Sequence, residues 1–261
     1  MLGKLFKYDF KWINKVMYIY FAIFLIITVC VKIVEGMEQT LLMVIIDKIL
    51  SGMFISCCIS IIITCFIRIW VRFMTNFYKD ESYLTHTLPV TKSELFNSKV
   101  ISSILSLILS IVVVLIGIFY VYLGNNGFEV LKNMYQSLVN VYNSSFAVLF
   151  VVGLIVIVLL EVIYFMLSGM FGIVMGYRSN NHKTLKSIII GIFTYGILSI
   201  ISVSIFSLIG NYAEFNIVVD GFPDLNTVRS MGITGIVIYF VFDVLYYFVI
   251  KRIFNSGVNV D

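Results

Sequence analysis

Apolar positions along the chain gather into six long runs, at about residues 16–34, 50–70, 100–123, 147–172, 187–209 and 231–250. Each is about 18 residues or longer, the length of α-helix that crosses a hydrocarbon core of roughly 30 Å. The pattern predicts an all-α polytopic membrane protein with six transmembrane helices, folded as a single domain over residues 1–261. Three connecting or terminal stretches carry further signals. Residues 2–15, LGKLFKYDFKWINK, place Lys4, Lys7, Lys11 and Lys15 on one helical face and Leu2, Leu5, Phe6, Phe10 and Ile13 over much of the other. This predicts an N-terminal interfacial helix with its lysines toward anionic lipid; the alternative is a plain cytosolic extension of the first span. EVLKNMYQSLVNVY repeats apolar residues at Leu131, Met134, Tyr135, Leu138 and Tyr142, an amphipathic helix expected on the outer leaflet or across the top of the bundle. The connection before the last span carries Pro223 and an apolar patch, Phe215–Val219, which either folds back toward the membrane or runs as a plain loop.

Composition agrees with that class. The chain is 61% hydrophobic and only 12% charged, with a mean hydropathy of +1.04, which leaves no segment able to fold as a separate water-soluble domain. Charge adds an orientation. Lys4, Lys7, Lys11, Lys15, Arg68, Arg72, Lys79, Lys92, Lys99, Arg178, Lys183, Lys186, Lys251 and Arg252 fall on one side of the six-span arrangement, and only Lys32, Lys48, Lys132 and Arg229 on the other. The positive-inside rule makes both termini and the loop after span two cytoplasmic. The net charge of +4 is explained by this distribution and gives no reason to expect nucleic acid as a partner. Val16–Val31 ends in TVC, with Val29 where a leader cleavage site wants a small residue, so a retained first span is expected.

Candidate chemistry is sparse. Cys30, Cys57, Cys58 and Cys65 all lie in apolar runs, away from His86 and His182, which predicts packing residues rather than a metal site. No phosphate loop, H-E-x-x-H pair or nucleophile elbow is present, so an enzyme is not expected, and the chain itself is expected to bind no cofactor. Two acids fall within spans: Glu161, near the middle of the fourth, and Asp243 in the sixth, about 12 Å of helix before Lys251. A charge at bilayer depth costs at least about 2.5–3.5 kcal/mol, so each needs a reason. A polar pathway or proton relay is one; a hydrogen bond to a Ser, Tyr or Arg of a neighbouring helix is the other, and the one favoured here.

The most polar stretch is FYKDESYLTHTLPVTKSELFNSK, residues 77–99. The second span is expected to continue into the cytosol, with Phe66, Trp70, Phe73 and Phe77 on one side. Leu88-Pro89 then enforces an extended break, and Thr91 with Glu94 forms a Thr-x-x-Glu capping box for a short helix ahead of span three. Helix, stiff turn and capped helix make a lever through which a soluble partner can push on the membrane part; the alternative is a decorated loop between two helices.

Within it, KDESYLTHTLPVTKSELFNSK resembles a recurrent segment of bacterial ATP-binding-cassette (ABC) exporter permeases of the type-2 class, E-G-Y-L-T-x-T-L-P-v-x-x-x-x-l-x-s-K. Glu81, Tyr83, Leu84, Thr85, Thr87, Leu88, Pro89, Ser98 and Lys99 match, while Ser82 stands where glycine is usual. The resemblance implies a permease subunit whose loop between spans two and three is a short cytoplasmic coupling helix. That helix would seat on a separate ABC ATPase subunit, two copies of which bind the ATP and Mg. A second permease subunit, identical or related, would complete the path for an amphipathic cargo such as a peptide antibiotic, lipid or drug. In this reading Leu95 and Phe96 are the docking anchors, Tyr83 and Leu84 buttress them, Pro89 sets the angle, and Thr91 with Glu94 fixes the first turn. The competing expectations are a sensory or immunity subunit of the same fold and, from a different class, an intramembrane enzyme using Glu161 or Asp243.

The orientation is directly testable. In a background without the native cysteines, Asn97→Cys and Asn181→Cys should be shielded from an impermeant thiol reagent added outside intact cells, and Asn126→Cys and Asn226→Cys should react. Labelling of Asn97→Cys from outside would reverse the orientation.

Overall fold

The computed structural model describes residues 2–38, 40–79, 81–87, 89–122, 127–141, 144–179, 181–212, 217–218, 222–223 and 225–256. The helices are α1 (Leu2–Glu35), α2 (Leu41–Tyr78), α3 (Ser82–Thr87), α4 (Lys92–Tyr122), α5 (Gly127–Val141), α6 (Ser144–Gly176), α7 (Lys183–Tyr212) and α8 (Leu225–Asn255). Six of them are long and apolar enough to cross a membrane, and they coincide with the six runs read from the sequence. The protein is an all-α, multi-pass membrane protein. A two-residue antiparallel pairing of β1 (Ile217–Val218) with β2 (Phe222–Pro223) lies between α7 and α8. The rest of the patch Phe215–Val219, and with it the question of a fold back toward the membrane, lies outside the described residues.

The segment 2–15 is helical as expected, but it is not a separate element. It runs unbroken into the first span as the start of the 34-residue α1. Within the protein it buries Asp9, Ile13 and Asn14, while Phe6 and Phe10 stay half-buried. At the far end of the second span, α2 continues to Tyr78, and its 38 residues make roughly 57 Å of helix, well beyond one hydrocarbon thickness. The Phe66, Phe73 and Phe77 side of that extension packs inward.

The helices pack as two compact units, Met1–Lys132 and Asn133–Asp261. In the first, α1 lies against both α2 and α4. The α4 face turned inward is a row of small residues, Ser98, Ser102, Ser106 and Ser110, one per turn, which lets the two backbones approach. Asn14 of α1 donates to Ser106 Oγ at 2.9 Å, and farther along Phe24 fills the space left by Gly117. These contacts advance together along both chains, so α1 and α4 run parallel. Phe24 also stacks on Phe54 of α2, ring centres 5.2 Å apart.

In the second unit α6 holds the corresponding place, packed against α7 and α8. Contact with α7 depends on residues without side chains. A Cβ at Gly172 would meet the Ser187 carbonyl and lie 2.7 Å from the Gly191 Cα, and one at Gly176 would lie 2.6 Å from the Ser187 Cα. Those neighbours are backbone atoms, which cannot swing aside. The helix α5 carries Phe128, Leu131 and Met134 exposed, while Leu138 and Val139 are half-buried.

Gly172→Ala should therefore force α6 and α7 apart and cost about 1–3 kcal/mol, the usual range for overpacking. Gly153→Ala on the same helix, where nothing lies within 4 Å, should be neutral or slightly stabilising. Thermal denaturation of the two variants in detergent checks this, and equal midpoints would contradict the close approach.

Candidate functional site

The polar loop between α2 and α4 has a different anatomy from the one expected. The capping box is present: the Thr91 amide donates to Glu94 Oε2 at 3.1 Å, and the Glu94 amide donates back to Thr91 Oγ1 at 3.3 Å. The helix it starts is not a short one, however. It continues as α4 to Tyr122 without a break. The short helix lies earlier, as α3, on the other side of the exposed Pro89.

This relocates the surface that a partner can reach. Leu95 and Phe96 were expected to be docking anchors, but they are 3% and 0% exposed. They sit on the inward side of the first turns of α4, where Phe96 meets Phe73 of α2 edge-on at 6.4 Å. Side chains that build the core cannot also receive a partner, so that assignment is corrected. Tyr83 and Leu84, expected to buttress them, are instead the outward-facing residues, 71% and 73% exposed. The same short helix buries Ser82 and Thr85, and Thr85 Oγ1 donates back to the Glu81 carbonyl.

Beneath the loop lies a cluster that the sequence reading did not single out. Asp9 of α1 is 3% exposed. Its carboxylate accepts from Arg72 Nε at 3.1 Å, from Ser98 Oγ at 3.2 Å and from Lys99 Nζ. Arg72 spends its Nη1 on Glu81 Oε2, 2.8 Å away at the start of α3. Two acids and two bases thus balance across α1, α2, the loop and α4. The Arg72 guanidinium also lies 4.9 Å from the centre of the Trp12 ring, and Lys99 Nζ lies 5.8 Å from that of Phe77, adding weak cation–π attraction. One signal for the cluster was in the sequence: Asp9 falls on the same side of α1 as Ile13, away from the lysine stripe.

The two acids within spans lie in the second unit. Glu161 is half-buried on α6 and lies within electrostatic reach of Tyr239 on α8. Asp243 is buried, and neither of its carboxyl oxygens has a hydrogen-bond partner among the described residues. The structural hydrogen bond expected for it is therefore not seen. Near both acids is a tyrosine cluster: the Tyr164 ring lies 5.5, 6.0 and 5.6 Å from those of Tyr195, Tyr239 and Tyr246. Among the described residues no group of His, Cys, Asp and Glu has the arrangement to hold a metal ion. Searches against protein-family models, curated proteins and solved structures give no match to this chain.

The cluster predicts an order of severity. Asp9→Ala leaves Arg72 and Lys99 buried without their acid and should cost about 3–5 kcal/mol. Glu81→Gln removes a partner whose side chain is 45% exposed and should cost no more than about 1 kcal/mol. Denaturation of the purified variants measures both, and comparable losses would refute the ordering.

Proposed function

We propose that this chain is the membrane-spanning permease subunit of an ABC transporter of the type-2 export class. Its α2–α4 loop faces the cytoplasm of a bacterial cell and docks on a separate ATPase subunit. Two ATPase subunits supply the ATP and Mg, and a second permease subunit completes the translocation path for an amphipathic cargo.

The observation that supports this reading is the composition of α3. A six-residue helix on a polar loop turns one tyrosine and one leucine outward while its other side is tied to the core through Ser82, Thr85 and the Arg72–Glu81 ion pair. Exposed aromatic and aliphatic residues on a firmly held short element are what an interface anchor requires. The surrounding segment is also the one that resembles the exporter permeases. A plain connector between two helices has no need of that arrangement.

Affinity purification from the native membrane tests it. The wild-type chain should bring down an ATPase. Tyr83→Ala with Leu84→Ala should insert and fold normally yet lose that partner, since truncating buried anchors often costs more than about 2 kcal/mol of binding. Leu95→Ala with Phe96→Ala should instead lower thermal stability. A Tyr83/Leu84 double variant that retains the ATPase and its stimulated hydrolysis would place docking elsewhere.

A further inference from the structure

Trp12 of α1 is clasped by Arg68 of α2. The guanidinium carbon lies 3.7 Å from the indole ring centre, and Nη2 donates to the Trp12 carbonyl at 2.9 Å. This stack fixes a level on both helices. Trp12 precedes the first apolar run by four residues, and Arg68 falls at the close of the second. An indole at that position belongs to the headgroup zone of a bilayer.

Around the stack the charge is one-sided. Lys15 lies one helical turn beyond Trp12 and Lys11 one turn before Lys15, both exposed. Among the described residues no Asp or Glu pairs with Arg68, Lys11 or Lys15. Arg72, one turn farther along α2, is the opposite case, since Asp9 and Glu81 neutralise it within the protein. On the hydrocarbon side of the same level, Ile19 and Ile67 are exposed and offer an apolar surface to an acyl chain.

We propose that Arg68, Lys11 and Lys15, set around Trp12, form a binding site for the headgroup phosphate of an anionic phospholipid. A phosphate supplies the missing negative charge and several acceptor oxygens to a half-buried guanidinium. The exposed isoleucines beside it favour a lipid over free phosphate, because only a lipid carries tails to cover them. The site depends on the membrane-spanning character of the chain and not on the exporter reading.

Native mass spectrometry of the full-length protein in detergent tests this, titrating phosphatidylglycerol against phosphatidylcholine of the same acyl chains. The wild type should retain phosphatidylglycerol at least about fivefold more tightly. Arg68→Gln should lose about fivefold, and Lys11→Gln with Lys15→Gln at least as much, on the usual contribution of a basic side chain near an anionic surface. Lys48→Gln, at the other end of α2, should bind like wild type, and millimolar inorganic phosphate should not displace the lipid. Equal retention of the two lipids, undiminished binding in the Lys11/Lys15 double variant, or displacement by inorganic phosphate would each overturn the proposal. That double variant decides the matter if Arg68→Gln proves unstable, because both lysines are exposed and carry no packing.

Discussion

The first unit depends on one buried carboxylate. Asp9 accepts from Arg72 on α2 and from Ser98 and Lys99 on α4, so three helices meet at one side chain. Apolar packing between helices tolerates sliding, whereas an ion pair in a low-dielectric interior does not. Shifting α1 by a single residue along α4 moves Asp9 by about 1.5 Å and exposes unpaired charges, each of which is costly to leave buried. Asn14 on Ser106 and Phe24 at Gly117 repeat the same register deeper in the bundle. The parallel pairing of α1 with α4 is thus specified at three heights by three different kinds of contact.

The second unit is held by other means. Its α6–α7 contact rests on Gly172 and Gly176 against Ser187 and Gly191, a close backbone approach stabilised by dispersion. Its α6–α8 contact is aromatic, with Tyr164 packed against Tyr239, Phe242 and Tyr246. No described ion pair fixes a register there, and the buried carboxyl group of Asp243 has no hydrogen-bond partner among the described residues. An unsatisfied polar group stabilises nothing where it stands. A unit built on small residues and rings, with such a group inside it, has less that opposes a sliding motion than the ionic first unit.

The spans were legible because length and hydropathy alone decide them, and the Thr91–Glu94 box because its two residues carry the whole signal at a fixed spacing. What failed was local reasoning about elements whose fate is set by distant partners. The side of residues 2–15 that packs inside the protein centres on Asp9, whose partners lie 63 and 90 residues away. Leu95 and Phe96 read as an exposed apolar pair because a proline and a cap precede them. Nothing local says that α4 begins inside the core, against Phe73. The helix α3 was missed because SYLTHT has no strong helix former besides leucine; Ser82 and Thr85 on its buried side, with the Glu81–Arg72 pair, hold it in place.

Lys99 and the two arginines of α2 show how the same charge serves opposite ends. Read by sequence, Arg68, Arg72 and Lys99 are equivalent entries in a positive-inside count. In the fold, Arg72 and Lys99 are spent internally: Asp9 and Glu81 cancel them, so they contribute little net field at the membrane surface. Arg68 has no acidic partner among the described residues and is stacked on the Trp12 indole. One helical turn separates a residue that organises the protein's interior from one left to face its surroundings. Because Arg72 also grips Glu81 at the root of α3, the position of the exposed Tyr83 and Leu84 is set from inside the bundle. Together with the buried Ser82 and Thr85, this guanidinium links α3 to Asp9 on α1 and, through Asp9, to Lys99 on α4.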